Sequence, residues 1–145
     1  MKISVITAVY NRRETIEDAI ISVQSQNYSD VEHLIIDGAS IDGTLDVIEA
    51  VSNERTVLVS EKDDGIYDAL NKGIARALGS VVGLMHSDDV FAHDGVLARV
   101  AEAFSDPKID AVYGDLQYVA KDDPSRVIRH WQAGNFSAEK LSRGW

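Results

Sequence analysis

The chain has 145 residues and carries 14 Lys plus Arg against 24 Asp plus Glu, a formal net charge of −10 with histidines neutral. That acidic balance argues against a bulk binder of nucleic acid or anionic membrane, which needs Lys and Arg to displace counterions. The absence of Cys excludes disulfides, thiolate nucleophiles, zinc ribbons and iron–sulfur sites, fits a reducing compartment, and leaves one domain, residues 1–145, to hold itself together by burial alone.

No apolar run reaches the roughly 18 residues of a membrane span. The opening MKISVITAVYN has one Lys before a short apolar stretch and no small-residue cleavage site after it, so it reads as a strand and not as a signal peptide. Ile3 to Ala8 is this first strand, β-branched and apolar, and it breaks at Tyr10-Asn11-Arg12-Arg13. From Glu14 to Gln26 the period changes, with Ile16, Ala19, Ile20 and Val23 at the i, i+3, i+4, i+7 spacing of a one-sided helix. Asn27 to Asp30 turn the chain, and His33 to Ile36 form a second strand that ends at Asp37-Gly38. Strand, helix and strand in such short compass predict a parallel pair with a right-handed crossover.

Gly38 to Thr44 is rich in turn formers and leads into a helix carrying Leu45, Val47, Ile48 and Val51, with Thr44 or Asp42 as its cap. Thr56 to Ser60 is a third strand, and Glu61 to Gly65 a charged loop. The next helix places Ile66, Leu70, Ile74 and Ala77 or Leu78 on one face and is expected to end on Gly79 as a C-cap. Ser80 to Met85 is nearly all apolar and reads as a central strand buried on both faces. After His86-Ser87-Asp88-Asp89 comes a helix from Gly95 to Phe104, closed by Asp106-Pro107. Ile109 to Val119 and Arg126 to Trp131 read as strands joined by a polar turn, and Gln132 to Trp145 shows no period. The fold class is α/β, a Rossmann-like three-layer α/β/α arrangement with a mostly parallel central sheet.

In an open sheet of this kind a ligand lies outside the carboxyl ends of the strands. That rule gathers Ala8 to Asn11, Asp37 to Ser40 and His86 to Asp89 at one crevice. Asp88 and Asp89 are adjacent carboxylates, which raise each other's pKa unless a cation intervenes. Mg2+ or Mn2+, hard cations held by one or two carboxylates plus substrate phosphate oxygens, would supply it; the alternative is a helix cap beside a solvated carboxylate. Asp37 suits a ribose hydroxyl or a base N–H, or is an ordinary strand-to-loop turn. Asp63 and Asp64 with Gly65 either line the crevice or form a solvated loop. Asn71 and Lys72 lie within a helix, where Lys72 either offsets phosphate charge or is solvated; His86 is a ligand or a core histidine. The sequence has no GxGxxG after the first strand, no GxxxxGK[ST] and no GxSxG, which removes the dinucleotide, P-loop and hydrolase-elbow readings.

Four stretches, ITAVYNR, IIDGASIDGT, SEKDDGIYDALNKGI and GLMHSDD, carry a resemblance in order and spacing across about residues 1–120. With them the chain resembles the N-terminal, nucleotide-sugar-binding part of a family 2 glycosyltransferase, inverting and of glycosyltransferase A-type fold. The resemblance implies transfer of a sugar from a nucleotide-diphosphate donor, UDP-sugar first among the candidates, to a glycan or lipid-linked acceptor. It implies a base pocket of Ala8, Tyr10 and Asp37 with Asn11 nearby, donor contacts from Asp64, Asn71 and Lys72, and a divalent metal, Mg2+ or Mn2+, on Asp88 supported by Asp89. Where many relatives have Asp-x-Asp this chain has His86-Ser87-Asp88, which leaves one carboxylate as ligand. Relatives continue into an acceptor-binding region with the catalytic base, so that part is expected to lie beyond this chain and no residue here is assigned as base. The short chain is accordingly expected to bind donor and to transfer poorly. A cytoplasmic location, peripheral to the inner face of the membrane, goes with polysaccharide or lipid-linked glycan synthesis. Two other classes stay open: a non-catalytic nucleotide-sugar-binding or regulatory module completed by self-association or a membrane-proximal partner, and a doubly wound phosphoryl-transfer receiver.

Overall fold

The structure is a computed structural model that describes residues 1–143. Gly144 and Trp145, on which the sequence reading ends, lie outside the described residues. The chain divides into two compact units, Met1–Ser105 and Asp106–Trp145.

The first unit runs β1 (Ile3–Val9), α1 (Ile16–Gln24), β2 (Val31–Asp37), α2 (Thr44–Val51), β3 (Thr56–Ser60), α3 (Ile66–Arg76), β4 (Val81–His86) and α4 (Val96–Ala103). Its four strands pair in the order β3-β2-β1-β4, every pair parallel. Alternation along β1 sorts its side chains between two layers. Ile3, Val5 and Val9 meet the helical stripe of Ile16, Ile20 and Val23, together with Ile48 of α2 and Leu97 of α4. Ile6 points the other way and packs with Leu34, Ile36 and Ala69 of α3. Each such buried aliphatic side chain contributes about 1.5–3 kcal/mol through lost apolar hydration, so the strands are held from both faces. The expected α/β sandwich of helices and parallel strands is therefore what these residues form.

Three expectations differ. Ser80 to Met85 is an edge strand and not a central one: β1 takes the centre, between β2 and β4. Val81 and Met85 are buried toward the α1 and α4 layer, whereas Val82 is 41% and Leu84 59% exposed on the opposite face. The cause is α3, which packs over β1 and β2. The buried face of α3 is also narrower than the apolar spacing suggests. It is Ala69 and Gly73 that are buried, while Ile66, Ile74 and Leu78 are exposed. A Cβ on Gly73 would stand 2.5 Å from Ile6 Cγ2, so small residues set how closely the helix meets the sheet. Finally, Gly79 does not cap α3, whose C-cap is Ala77. Gly79 lies where a Cβ would come within 2.7 Å of Ser4 N and 2.8 Å of Lys2 O; it lets the chain enter β4 against β1.

A buried polar cluster secures the amino ends of the strands. Glu32 accepts hydrogen bonds from the Ser4 hydroxyl and, at 2.6 Å, from Leu78 N, and Ser4 Oγ accepts from Gly79 N at 2.8 Å. This leaves the carboxyl ends for loops.

In the second unit, β5 (Leu116–Ala120) and β6 (Asp123–Trp131) form an antiparallel hairpin, and a short helix α5 spans Ala138–Ser142. β5 starts later and β6 earlier than the apolar pattern suggests, with register shifts after Tyr118 and Val119. Pro124, second in β6, sits where a missing N–H is tolerated at a strand start. The stretch without periodicity contains α5.

Candidate functional site

β1 and β4 are neighbours in register, Ala8 opposite His86, so the loops leaving their carboxyl ends emerge side by side. Between them and the start of α3 lies a cavity of about 580 Å3, lined by residues that include Ala8, Tyr10, Arg12, Asp63, His86 and Asp88. Gly65, Ile66 and Ala69 close the α3 side.

The β1 loop is fastened to the β2 loop. Gly38 N donates to Val9 O at 2.9 Å, Asn11 N to Ser40 Oγ at 2.8 Å, and Ile41 N to Asn11 Oδ1 at 3.0 Å. Arg12 N donates to Thr44 Oγ1 at 2.8 Å and Arg13 N to Asp42 Oδ2 at 3.3 Å. Asp42 also accepts from Thr44 N at 3.0 Å and from the Thr44 hydroxyl. The Thr44 hydroxyl is the largest cause that holds the Asp42 carboxyl below its usual range; desolvation opposes it, and the backbone N–H donors add to the lowering. Gly43, with φ of +92°, is the cap residue itself, and Asp42 serves the helix from one position earlier. Two non-glycine residues adopt left-handed backbone here, Asn11 at φ +52° and Ala39 at φ +63°. Such a conformation costs an alanine about 1–2 kcal/mol. It persists because the loop-to-loop bonds determine it, and it aims Tyr10 and Arg12 at the cavity.

Asp37 is fully buried. Its Oδ2 accepts from Ser40 N at 3.0 Å and Ser60 Oγ at 2.7 Å, and its Oδ1 has no partner. Asp63 reaches the cavity from the β3–α3 loop. Its Oδ1 accepts from Gly65 N at 2.9 Å, and its Oδ2 lies so near Gly38 that a Cβ there would stand 2.6 Å away. The same Cβ would meet the Tyr10 ring at 3.4 Å, so Gly38 is the gap that lets Tyr10 and Asp63 approach one another. At the β4 end, Asp89 N donates to His86 O at 3.2 Å in a tight turn that presents Asp88. The Asp89 carboxyl is held above its usual range, first by desolvation and then by the charge of Asp88, with His86 opposing.

Of the expected site residues, Ala8 and Tyr10 for the donor and Asp88 for the metal line the cavity together, and Asp63 and His86, each left open by the sequence, join them. Asn11 holds the loop and does not line the cavity, and Asp37 lies buried beneath the same loops. Asp64, Asn71, Lys72 and Asp89 are not among the lining residues either. Asp64 N donates to Asp68 Oδ2 at 3.2 Å. Lys72 Nζ is 3.0 Å from Asp68 Oδ2 and 3.6 Å from Glu61 Oε1, and donates to Lys62 O at 2.9 Å. The hydrogen bond to Asp68 is the main reason its amino group is held above the ordinary lysine range. Its charge is thus engaged in fastening the β3–α3 loop.

The feature that sequence reasoning missed is Arg12. Its Nη1 donates to Asn11 O at 3.2 Å, and it has no carboxylate at ion-pair distance among the described residues. Its place in ITAVYNR, directly after Tyr10-Asn11, was the available signal.

Similarity to known proteins bears on this site. An uncharacterized glycosyltransferase of Mycobacterium tuberculosis (strain ATCC 25618 / H37Rv) is 36% identical over 104 residues, covering 71% of this chain and 40% of the relative. A PGL/p-HBAD biosynthesis glycosyltransferase of Mycobacterium bovis (strain BCG / Pasteur 1173P2) is 32% identical over 117 residues, 78% of this chain and 46% of the relative. The chain thus spans less than half the length of these curated relatives. Among solved structures, a mannosyltransferase from Pyrobaculum calidifontis in complex with GDP-Man and Mn2+ superposes with a TM-score of 0.68 at 25% identity, over 83% of this chain and 36% of that one. Residues 1–349 of TarS from S. aureus, in complex with UDP-GlcNAc, give a TM-score of 0.65 at 27% identity, over 74% and 32%. The family model for glycosyl transferase family 2 matches residues 4–145, and with the parallel sheet and the cavity at its carboxyl edge this chain belongs to that family.

Proposed function

We propose that this chain forms the donor-binding part of a glycosyltransferase that moves a sugar, with inversion, from a nucleoside-diphosphate sugar to a glycan or lipid-linked acceptor. One observation carries the reading: a cavity of about 580 Å3 at the carboxyl ends of β1 and β4 in which an aromatic ring, Tyr10, and a carboxylate, Asp88, face the same space. A nucleoside diphosphate needs both, a flat apolar surface for its base and a cation-holding group for its phosphates.

Asp37 adds a fully buried carboxylate oxygen without a partner. An acceptor-only group of this kind suits the ring N–H of uracil or guanine, in keeping with neighbours that hold UDP-GlcNAc and GDP-Man. Among the described residues no three His, Asp or Glu side chains gather as a cage. Asp88 at the cavity wall nevertheless fits Mg2+ or Mn2+ in the manner usual for such ions, which take one or two carboxylates plus diphosphate oxygens. The P. calidifontis neighbour's Mn2+ complex supports the same reading. The ion, when bound, neutralises charge on the leaving diphosphate. Asp89, with its carboxyl held above the usual range, backs Asp88 through the turn to His86.

Inverting displacement passes the acceptor hydroxyl proton to a general base. That role is assigned to neither lining carboxylate: Asp88 would hold the ion, and Asp63 Oδ1 accepts a hydrogen bond from Gly65 N. No helix among the described residues is long and apolar enough to cross a membrane. A cytoplasmic setting beside the membrane is proposed on the ground of a lipid-linked or polysaccharide acceptor alone.

Calorimetric titration of UDP and of GDP, each with and without Mn2+, tests the proposal. Binding strengthened by Mn2+, with that increment removed by Asp88→Ala, is the expected result. Absence of binding by either nucleotide in both conditions would overturn it.

A further inference from the structure

An anionic donor entering this site meets a protein of net charge −10 and a cavity already lined by two carboxylates, Asp63 and Asp88. Something must compensate two phosphate groups. The cation that the sequence offers for this, Lys72, is engaged by Asp68, Glu61 and the Lys62 carbonyl and is not among the lining residues. Arg76 is likewise paired, 3.6 Å from Glu61 Oε1.

Arg12 is the basic side chain that remains. It is the one Lys or Arg among the described residues lining the cavity, and its guanidinium has no acidic partner among them. Among the described residues the guanidinium makes one hydrogen bond, from Nη1 to the Asn11 carbonyl at 3.2 Å, which leaves four of five N–H donors for a ligand. The backbone beneath it is fixed: Arg12 N is held by Thr44 Oγ1 at 2.8 Å, and the preceding Asn11 is locked in left-handed conformation by Ser40 and Ile41. A planar fork of donors on an over-determined loop is suited to two phosphate oxygens at once, which a lysine's point charge is not.

We propose that Arg12 is the residue that binds the diphosphate of the donor, compensating the charge of Asp63 and Asp88 in the same cavity. The assignment rests on the nucleotide reading above and adds to it which chain group meets the phosphates. It makes the site selective for the phosphorylated ligand over the bare nucleoside even before any divalent ion is added.

The test is calorimetric titration of uridine, UMP and UDP, and of guanosine and GDP, without divalent ions, into the wild-type chain and the Arg12→Gln and Arg12→Lys variants. Arg99→Gln, which removes the same charge from an exposed position on α4 outside the cavity, is the control for bulk electrostatics. The expected result is a loss of about tenfold or more in diphosphate affinity in Arg12→Gln, the size of a charge-assisted bidentate contact. Nucleoside affinity stays unchanged, Arg12→Lys recovers part of the loss, and Arg99→Gln matches the wild type. Equal losses for nucleoside and diphosphate, or an equal loss in Arg99→Gln, would overturn the assignment while leaving the nucleotide site standing, as would unchanged diphosphate affinity in Arg12→Gln. A wild-type chain that binds none of the five ligands here, nor UDP or GDP with Mn2+, would overturn the nucleotide reading itself.

Discussion

Lowering the pH from 7 to 4.5 should destabilise this protein through one buried histidine. His33 is 1% exposed on β2, its Nε2 is 2.9 Å from Thr7 Oγ1, and its Nδ1 has no partner. In the register of β2 and β3 it stands opposite Thr56, whose hydroxyl is also unpartnered. Burial without a counter-charge pushes its pKa from 6.5 down to about 4. The unfolded chain therefore takes up a proton at His33 before the folded one does, and stability falls as pH drops from 6.5 toward 4. A shift of that size corresponds to about 3 kcal/mol in full, of which about 2.5 kcal/mol is lost between pH 7 and pH 4.5. Carboxylates titrate in the same range, so the measurement must be a difference. Urea denaturation at both pH values is compared between the wild type and the double variant Thr7→Val/His33→Leu, which removes both hydrogen-bonding partners together and leaves no orphan between them. The stability of the wild type relative to the variant should drop by about 2–2.5 kcal/mol at the lower pH. A relative stability that does not change with pH would refute the claim that His33 is held neutral by burial.

Two other substitutions probe the elements that shape the site. Gly73→Ala places a methyl 2.5 Å from Ile6 Cγ2 and 3.3 Å from Ile36 Cγ1, and overpacking of this kind costs about 1–3 kcal/mol; an unchanged urea midpoint would show that α3 is free to retreat from the sheet. Asp88→Asn removes the second cause of the elevated Asp89 pKa and leaves the first, desolvation. Carbon-detected NMR titration of the Asp89 carboxyl should therefore show a partial fall toward the ordinary value, and a constant or rising value would contradict the coupling.

Much of the scaffold is legible in the sequence because its determinants are local. The stripe Ile16, Ala19, Ile20, Val23 is the buried face of α1, and Thr56 to Ser60 is β3 to the residue. What is not legible depends on partners remote in sequence. An apolar run such as Ser80 to Met85 reads the same at the centre of a sheet or at its edge; only the placement of α3 over β1 and β2 exposes Val82 and Leu84. On α3 the large residues Ile66 and Ile74 outweigh Ala69 and Gly73 in any apolar pattern, yet close contact with Ile6 selects the small ones. The site divides similarly. Ala8, Tyr10 and Asp88 follow from the rule that ligands gather at strand ends. The exchange of Lys72 for Arg12 does not, because it turns on Lys72 finding Glu61 and Asp68, and on the bonds from Asn11 and Arg12 to a loop some thirty residues away.

The most direct test of a nucleotide site with its ion at Asp88 is paramagnetic NMR. Amide spectra of the labelled chain are recorded with UDP or GDP and then with substoichiometric Mn2+ added. The account predicts nucleotide-induced shifts at Ala8, Tyr10 and Arg12, and Mn2+ broadening centred on His86 to Asp89 that requires the nucleotide and disappears in Asp88→Ala. Broadening spread over the acidic surface, indifferent to nucleotide and to Asp88, would contradict it.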